Sequence, residues 1–252
     1  MSEALEKAIL ENHFGAYRTI ARACGGHHGR TAAYEWTLAP PGNTYPNFIF
    51  NEQAEAIDIE ALKEQIRAGA LPPFWLSPNS RLQTLIGPAG FRLIRIWQGL
   101  GMRPKELKPP PEVPGLEFCM VESAEQVDIW TEIAAQSFNT PFEKGYFYPL
   151  LEQPGVELFL GNKEGVFVGT AMNFYQGSTV GLHMAATLPA HRKQGIGQWL
   201  LAQGIQRGFD SGARLAVCSA TPDGSSPWQK IGFKVYSKLY LYWLVGKEYI
   251  SA

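Results

Sequence analysis

Residues 191–201, HRKQGIGQWLL, place two cations and two glycines at the mouth of an apolar helical run. A helix N-terminus presents unpaired N–H groups and the positive end of aligned peptide dipoles, so an anion is stabilised there. Gly195 and Gly197 let the backbone approach such an anion without Cβ collisions, and Arg192 and Lys193 add charge for further phosphates. The pattern predicts a cradle of pyrophosphate size. Its competitor is a solvated basic turn ahead of an ordinary helix, and only the flanking elements separate the two. A second eye-catching group, CGGHH at 24–28, crowds three potential metal ligands into one glycine turn with no second ligand group, which predicts a loop and no metal site.

The rest of the chain must supply the elements that position this loop. Its 252 residues can bury a sizeable core and leave room for two domains. Lys plus Arg (22) nearly balances Asp plus Glu (23), so bulk charge points to neither a nucleic acid nor a membrane surface as partner. Cys24, Cys119 and Cys218 are widely spaced and form no CxxC pair, which fits reduced thiols. The start, MSEALEKAILENHF, is amphipathic and carries acids, unlike a signal peptide, and no apolar run approaches the roughly 18 residues of a membrane span. These readings predict a cytoplasmic protein.

Five prolines in MRPKELKPPPEVPGL, residues 102–116, forbid a helix or a central strand and read as a linker. Two domains are therefore expected, 1–112 and 113–252. The first reads as a helix to about Ala23, the glycine-rich break CGGHHGR, a strand around Thr31 to Leu38, and a short strand FIF. A helix with Ile59, Leu62 and Ile66 on one face follows, then a strand in PPFWLSP, a helix near Leu82 to Ile86, and the long strand GFRLIRIWQGL. The second reads as a strand LEFCMVES, a helix around Gln126 to Phe138, and three strand-like runs between residues 156 and 187 broken by GNKEG and YQGS, an antiparallel meander. The quoted loop comes next, with a helix to about Ser211 that stacks Leu201, Ile205 and Phe209, a buried strand LAVCSA, and a last strand after KIGF. AGFRLIRIWQGL and IGFKVYSKLYLYWL share a Gly-Phe pair leading into a long aromatic strand, which suggests that the first half is a diverged copy of the second.

With these flanks the loop resembles a known family. Arg192-Lys193-Gln194-Gly195-Ile196-Gly197 is similar to the Q/R-x-x-G-x-G/A coenzyme A loop of the GNAT N-acetyltransferase superfamily, and Lys230-Ile231-Gly232-Phe233 lies where these proteins carry KxGF. The resemblance covers about Leu116 to Val245. It implies the GNAT fold, an α/β (α+β) architecture with a mixed, largely antiparallel sheet flanked by helices, and beside it an additional N-terminal α/β domain. It implies acetyl-CoA as co-substrate and an amine acceptor as the other partner, with direct acetyl transfer to a primary amine; the balanced charge argues against a strongly anionic polymer and for a small-molecule or amino-acid-like acceptor.

Residue by residue, it implies that Ala185, Ala186 and Thr187 offer main-chain groups to the pantetheine arm, and that Arg192, Lys193, Gln194, Gly195, Ile196, Gly197 and Gln198 hold the phosphates. The Glu used by histone-acetylating relatives falls on Gly181, while His183 matches the place of a catalytic histidine in serotonin N-acetyltransferase; a packed histidine is the alternative. The tyrosine that many relatives use as acid is replaced by Trp228, which leaves Ser226, next to Ser225, or water to protonate the thiol. Phe138, Asn139 and Phe142 are the expected acceptor-side residues. Loss of the tyrosine also admits a non-catalytic acyl-CoA-binding sensor.

Overall fold

The computed structural model describes residues 2–246. One mixed sheet of eleven strands runs through the molecule in the order β1-β2-β3-β4-β11-β5-β10-β9-β8-β7-β6. The N-terminal half contributes α1 (Ser2–Ala23), β1 (His27–Arg30), β2 (Glu35–Leu38), β3 (Phe48–Phe50), α2 (Ile59–Arg67), β4 (Phe74–Ser77), α3 (Leu82–Ile86) and β5 (Phe91–Met102). The C-terminal half contributes β6 (Leu116–Met120), α4 (Ala124–Phe138), β7 (Val156–Lys163), β8 (Val166–Gln176), β9 (Thr179–Thr187), α5 (Ile196–Asp210), β10 (Leu215–Ala220), α6 (Ser226–Lys230) and β11 (Lys234–Leu244). Pairing is antiparallel throughout except for β3 beside β4 and β9 beside β10.

The periodicities place most elements within a residue or two. The glycine-rich segment departs from expectation: His27–Arg30 is a strand, and the run read as one strand from Thr31 splits at a turn so that β2 starts at Glu35. Thr31 makes this turn, its hydroxyl accepting from the N–H groups of Ala33 and Tyr34 at 3.0 Å each. A local side-chain hydrogen bond outcompetes the ladder there. His28 is held by Glu35 at 2.9 Å, and no group of three or more potential metal ligands occurs among the described residues.

The boundary read at residue 112 falls between β5 and β6 but not at a gap in the sheet, because the halves exchange their last strands. β5 inserts between β10 and β11, and β11 inserts between β4 and β5. The two strands that begin with the Gly-Phe echo thus pair with each other. Trp97 and Leu239, each six residues beyond the echoed phenylalanine, face one another, and to either side Gln98 faces Lys238 while Ile96 faces Tyr240. That register is what a two-fold axis through the Trp97–Leu239 pair requires. Outward from the seam the relation persists: Ser77 of β4 faces Tyr240, as Ala220 of β10 faces Gln98. Further out, Ile49 lies beside Trp75 as Leu182 lies beside Cys218, and two residues beyond Ile49 and Leu182 stand Asn51 (φ 54°) and Met184 (φ 49°), both left-handed. A non-glycine residue with positive φ is uncommon, so its occurrence at both related positions marks the halves as structural repeats.

Helix α1 crosses the seam. Phe14 and Tyr17 pack into the core over β3, β4 and β11, whereas Ile20 and Cys24 pack with Val127 and Trp130 of α4 over the C-terminal half. On the other face α5 buries Leu201 and Ile205 against Val180 and Leu182. Because β10 leans on β5, and β11 on both β4 and β5, residues 113–252 alone would leave one edge of β10 and both edges of β11 without these partners. Expressed without residues 1–112, that segment is predicted to give no cooperative thermal unfolding transition by circular dichroism, whereas the full chain gives one.

Candidate active site

Parallel pairing between β9 and β10 ends at the Leu182–Cys218 pair. Beyond it the two strands part, and His183, Met184 and Ala185 on one side and Ser219, Ala220 and Thr221 on the other line a cavity of about 340 Å³. The divergence has a local cause. Met172 of β8 faces His183 but Thr170 faces Ala186, so β9 carries an extra residue there, a bulge centred on the left-handed Met184. The Thr170 hydroxyl donates to the Met184 carbonyl at 2.9 Å and holds the bulge in place.

His183 is buried and bonded across 3.1 Å to the Oδ1 of Asn12 on α1. The Asn12 amide nitrogen donates to the Phe174 carbonyl at 3.2 Å, so Oδ1 is the acceptor and the His183 Nε2 must carry the proton. The lone pair of the ring is thereby fixed on Nδ1. Burial pushes the His183 pKa down to about 4, so the imidazole is neutral at physiological pH. Gly181, where histone-acetylating relatives carry the base, has no room for a side chain: a Cβ there would collide with the Asn12 oxygen.

Of the acceptor-side residues read from the sequence, Phe138 and Phe142 line the cavity, while Asn139 is the left-handed C-cap of α4 (φ 53°) and is not among its walls. Trp228 is a cavity wall, packed edge-on against Phe233. Ser226 is exposed at the start of α6 and does not reach the cavity; Ser225 beside it is buried, its hydroxyl donating to the Pro222 carbonyl at 2.8 Å. The hydroxyls that do line the cavity are Ser219, buried without a partner, and Thr221. The sequence allowed that the N-terminal half either is a degenerate copy or shapes the acceptor cleft but singled out no residue of it for this wall, which His13 and Tyr17 of α1, Tyr45, Phe48, Arg95 and Trp97 form.

The loop after β9 is built as an anion site. Lys193 (φ 63°) and Gly195 (φ 82°) are both left-handed, Gly195 is the N-cap of α5, and no side chain caps that helix. The first-turn N–H groups of a 15-residue helix therefore face the loop. At Gly197 a Cβ would stand 3.4 Å from the Thr187 hydroxyl, inside the same concavity. Ile196 contributes backbone only, since its side chain is buried against Leu116 and Val168. Arg192 departs from its expected role, with Nε on the Thr187 carbonyl at 3.1 Å and a terminal nitrogen on the Ser137 carbonyl at 3.0 Å. Those two bonds clamp the loop to the end of α4. Gln194 accepts from Lys163 at 2.8 Å, which brings a second lysine to the loop that carries Lys193. The fit to a diphosphate group rests on these main-chain donors.

Residues 127–227 match the sequence model of the acetyltransferase (GNAT) family. The C-terminal half carries a GNAT domain. No curated protein matches the chain by sequence. Solved structures extend the likeness over both halves: a GCN5-related N-acetyltransferase from Kribbella flavida, 17% identical, superposes with a TM-score of 0.72 over 94% of this chain and 96% of its own. A GCN5-related N-acetyltransferase from Sphaerobacter thermophilus, 15% identical, gives 0.60 over 83% and 79%. A tandem GNAT protein from the clavulanic acid biosynthesis pathway, 12% identical, gives 0.57 over 83% and 77%. The N-terminal half thus shares the GNAT fold.

That half lacks the GNAT loop chemistry. Its helix α2, related to α5, is capped by its own Asp58, whose carboxylate accepts from the Ala61 N–H at 3.1 Å and would repel a phosphate. Between the ends of β3 and β4 the Ser77 hydroxyl donates to Glu52, so a carboxyl group occupies the place related to the cavity between β9 and β10. Only one of the two repeats retains an anion cradle.

The buried histidines make stability depend on pH. Burial, and secondarily the neighbouring His183, holds the His13 pKa well below its ordinary 6.5. The unfolded chain therefore binds more protons than the folded one between the unfolded value near 6.5 and the folded value of about 4 for His183, and stability falls as pH drops through that window. The melting temperature is expected to be lower at pH 5 than at pH 7.5, with His183 alone contributing about 2 kcal/mol of that loss; scanning calorimetry across the two pH values measures it.

Proposed function

We propose that this protein is an acetyl-CoA-dependent N-acetyltransferase acting on the primary amine of a small-molecule or amino-acid-like acceptor by direct transfer. The observation that carries the reading is the junction of the main-chain anion cradle at 193–198 with a cavity that holds a tautomerically fixed imidazole. Acetyl-CoA supplies an activated acetyl thioester when bound. Lys193, Gln194, Gly195, Gly197 and Gln198 hold its phosphates through the loop and first turn of α5, and Arg192 keeps that loop in register. The β9 segment Ala185, Ala186 and Thr187, diverted from β10 by the Met184 bulge, directs main-chain groups to the pantetheine arm and the carbonyl oxygen.

Nδ1 of His183 takes the proton of the attacking amine. A base with a pKa of about 4 is weak toward a free ammonium ion, but the N–H of a nitrogen already committing its lone pair is far more acidic. The departing sulfur takes its proton from solvent, with the Ser219 and Thr221 hydroxyls as hydrogen-bond donors in the cavity. Neutral overall charge and a cavity of about 340 Å³ favour a small acceptor over a polymer. The division of labour between residues 1–112 and 113–252 follows: the second half binds the co-substrate, and the first, a degenerate copy, closes the acceptor side.

Calorimetric titration of acetyl-CoA into the full chain is expected to give one site, abolished by combined Gly195→Glu and Gly197→Glu substitution. His183→Ala is expected to retain that affinity and lower kcat with primary amines by about 10²- to 10⁴-fold. Absence of binding by the folded wild type would remove the co-substrate assignment.

A further inference from the structure

Helix α1 brings a second imidazole to the acceptor cavity. His13 lines the cavity, is only 7% exposed, and neither of its ring nitrogens has a hydrogen-bond partner among the described residues. Buried polar groups without partners are rare in folded proteins and each costs stability, so such a ring calls for a functional explanation. Packing fixes where it sits: Tyr17 lies 4.6 Å away and Trp97 5.9 Å away by ring centroids, and the His183 ring stacks at 5.9 Å with 28° between planes. Both imidazoles are held neutral by burial, so each carries one lone pair. The two rings stand side by side on the wall of one cavity, so a single small polar group bound there lies beside both. Tyr17, Phe48, Trp97 and Phe138 give the cavity aromatic walls, Arg95 also lines it, and no carboxylate does so among the described residues.

We propose that His13 is an acceptor-contacting residue that receives the second N–H of a primary amine while His183 receives the first, so that the histidine pair selects primary amines carried on a flat apolar body. This rests on the acyl-transfer reading above. The chemistry balances simply. One N–H bond breaks as the N–C bond forms, its proton going to His183, and the N–H on His13 stays in the product amide. A secondary amine has only one N–H to give and leaves His13 without its bond.

The test compares wild type with His13→Phe, which keeps the ring volume, and His13→Asn, which keeps a polar group near Nδ1. Thiol release from acetyl-CoA is followed with 2-phenylethylamine and with its N-methyl derivative, alongside melting curves and acetyl-CoA calorimetry. Wild type is expected to prefer the primary amine strongly. His13→Phe is expected to fold and bind acetyl-CoA as wild type does, to lose about 10- to 100-fold in kcat/KM for the primary amine, and to lose most of the discrimination between the two amines. His13→Asn is expected to recover part of it. A His13→Phe protein that discriminates as wild type does would overturn the proposal and leave His13 a packing residue.

A wild type that binds acetyl-CoA but acetylates neither amine contradicts the transferase reading instead. In that case ¹⁵N spectra of histidine-labelled wild type, assigned with His13→Phe or His13→Asn, decide the matter separately. Movement of the His13 ring resonances on adding 2-phenylethylamine upholds the contact, and their indifference to the amine sinks it.

Discussion

The long antiparallel pairing of β5 with β11 is the constraint on which the remaining architecture depends. Each strand belongs in sequence to one half and in space to the core of the other, so neither half has a complete sheet without its partner. The Trp97–Leu239 pair lies at the centre of this exchange, and α1 packs over it. From that one register follow the continuous eleven-stranded sheet, the two clefts where parallel strands meet, and the reach of α1 into the cleft of the other half. A helix confined to a separate N-terminal domain could not have delivered Asn12 and His13 to His183.

The two related clefts diverged by small chemical steps. Both keep the left-handed residue beyond the last inward-facing pair, Asn51 in one and Met184 in the other. At α5 the N-cap is a glycine and the loop donors are free of side-chain caps; at α2 an aspartate fills that role. Between β9 and β10 no carboxylate lines the cavity among the described residues; between β3 and β4 the related cleft is lined by Glu52, bonded to Ser77, and burial raises the Glu52 pKa. In that cleft Glu35 gathers Arg18, His28 and Asn51 at 2.7 to 2.9 Å, a network that ties α1 to β1, β2 and β3. The repeat that lost its anion site acquired polar contacts that anchor α1. The anchored helix in turn fixes the tautomer of the histidine opposite.

Elements with strong periodicity were legible in the sequence: α4, the β7 to β9 meander, α5 and β5 all lie where alternation or helical spacing puts them. The conformation of the loop at 192–198 was legible because glycines at 195 and 197 report a tight backbone turn directly. Sequence spacing says nothing about which strand lies beside which, so the exchange of β5 and β11 was hidden, although the Gly-Phe echo marked both participants. Strand β1 was hidden by Gly29 and its two histidines, residues with little β preference, and Glu35 holds His28 across the pair. His13 was illegible for a different reason: on an amphipathic helix a histidine beside Phe14 and Tyr17 reads as packing, and only the strand exchange brings it to His183. Ser226 was chosen by proximity to Trp228 in sequence, but the turn before α6 points it to solvent.

The central claim is that only the C-terminal repeat binds the acyl donor, with α1 of the other repeat closing the site. Hydrogen–deuterium exchange of the full chain with and without acetyl-CoA tests it most directly. The account predicts strong protection of amides at 184–187 and 193–199 and unchanged exchange at 51–60, the related segment of the first repeat. Protection centred on 51–60, or none at 193–199 under saturating acetyl-CoA, would contradict it.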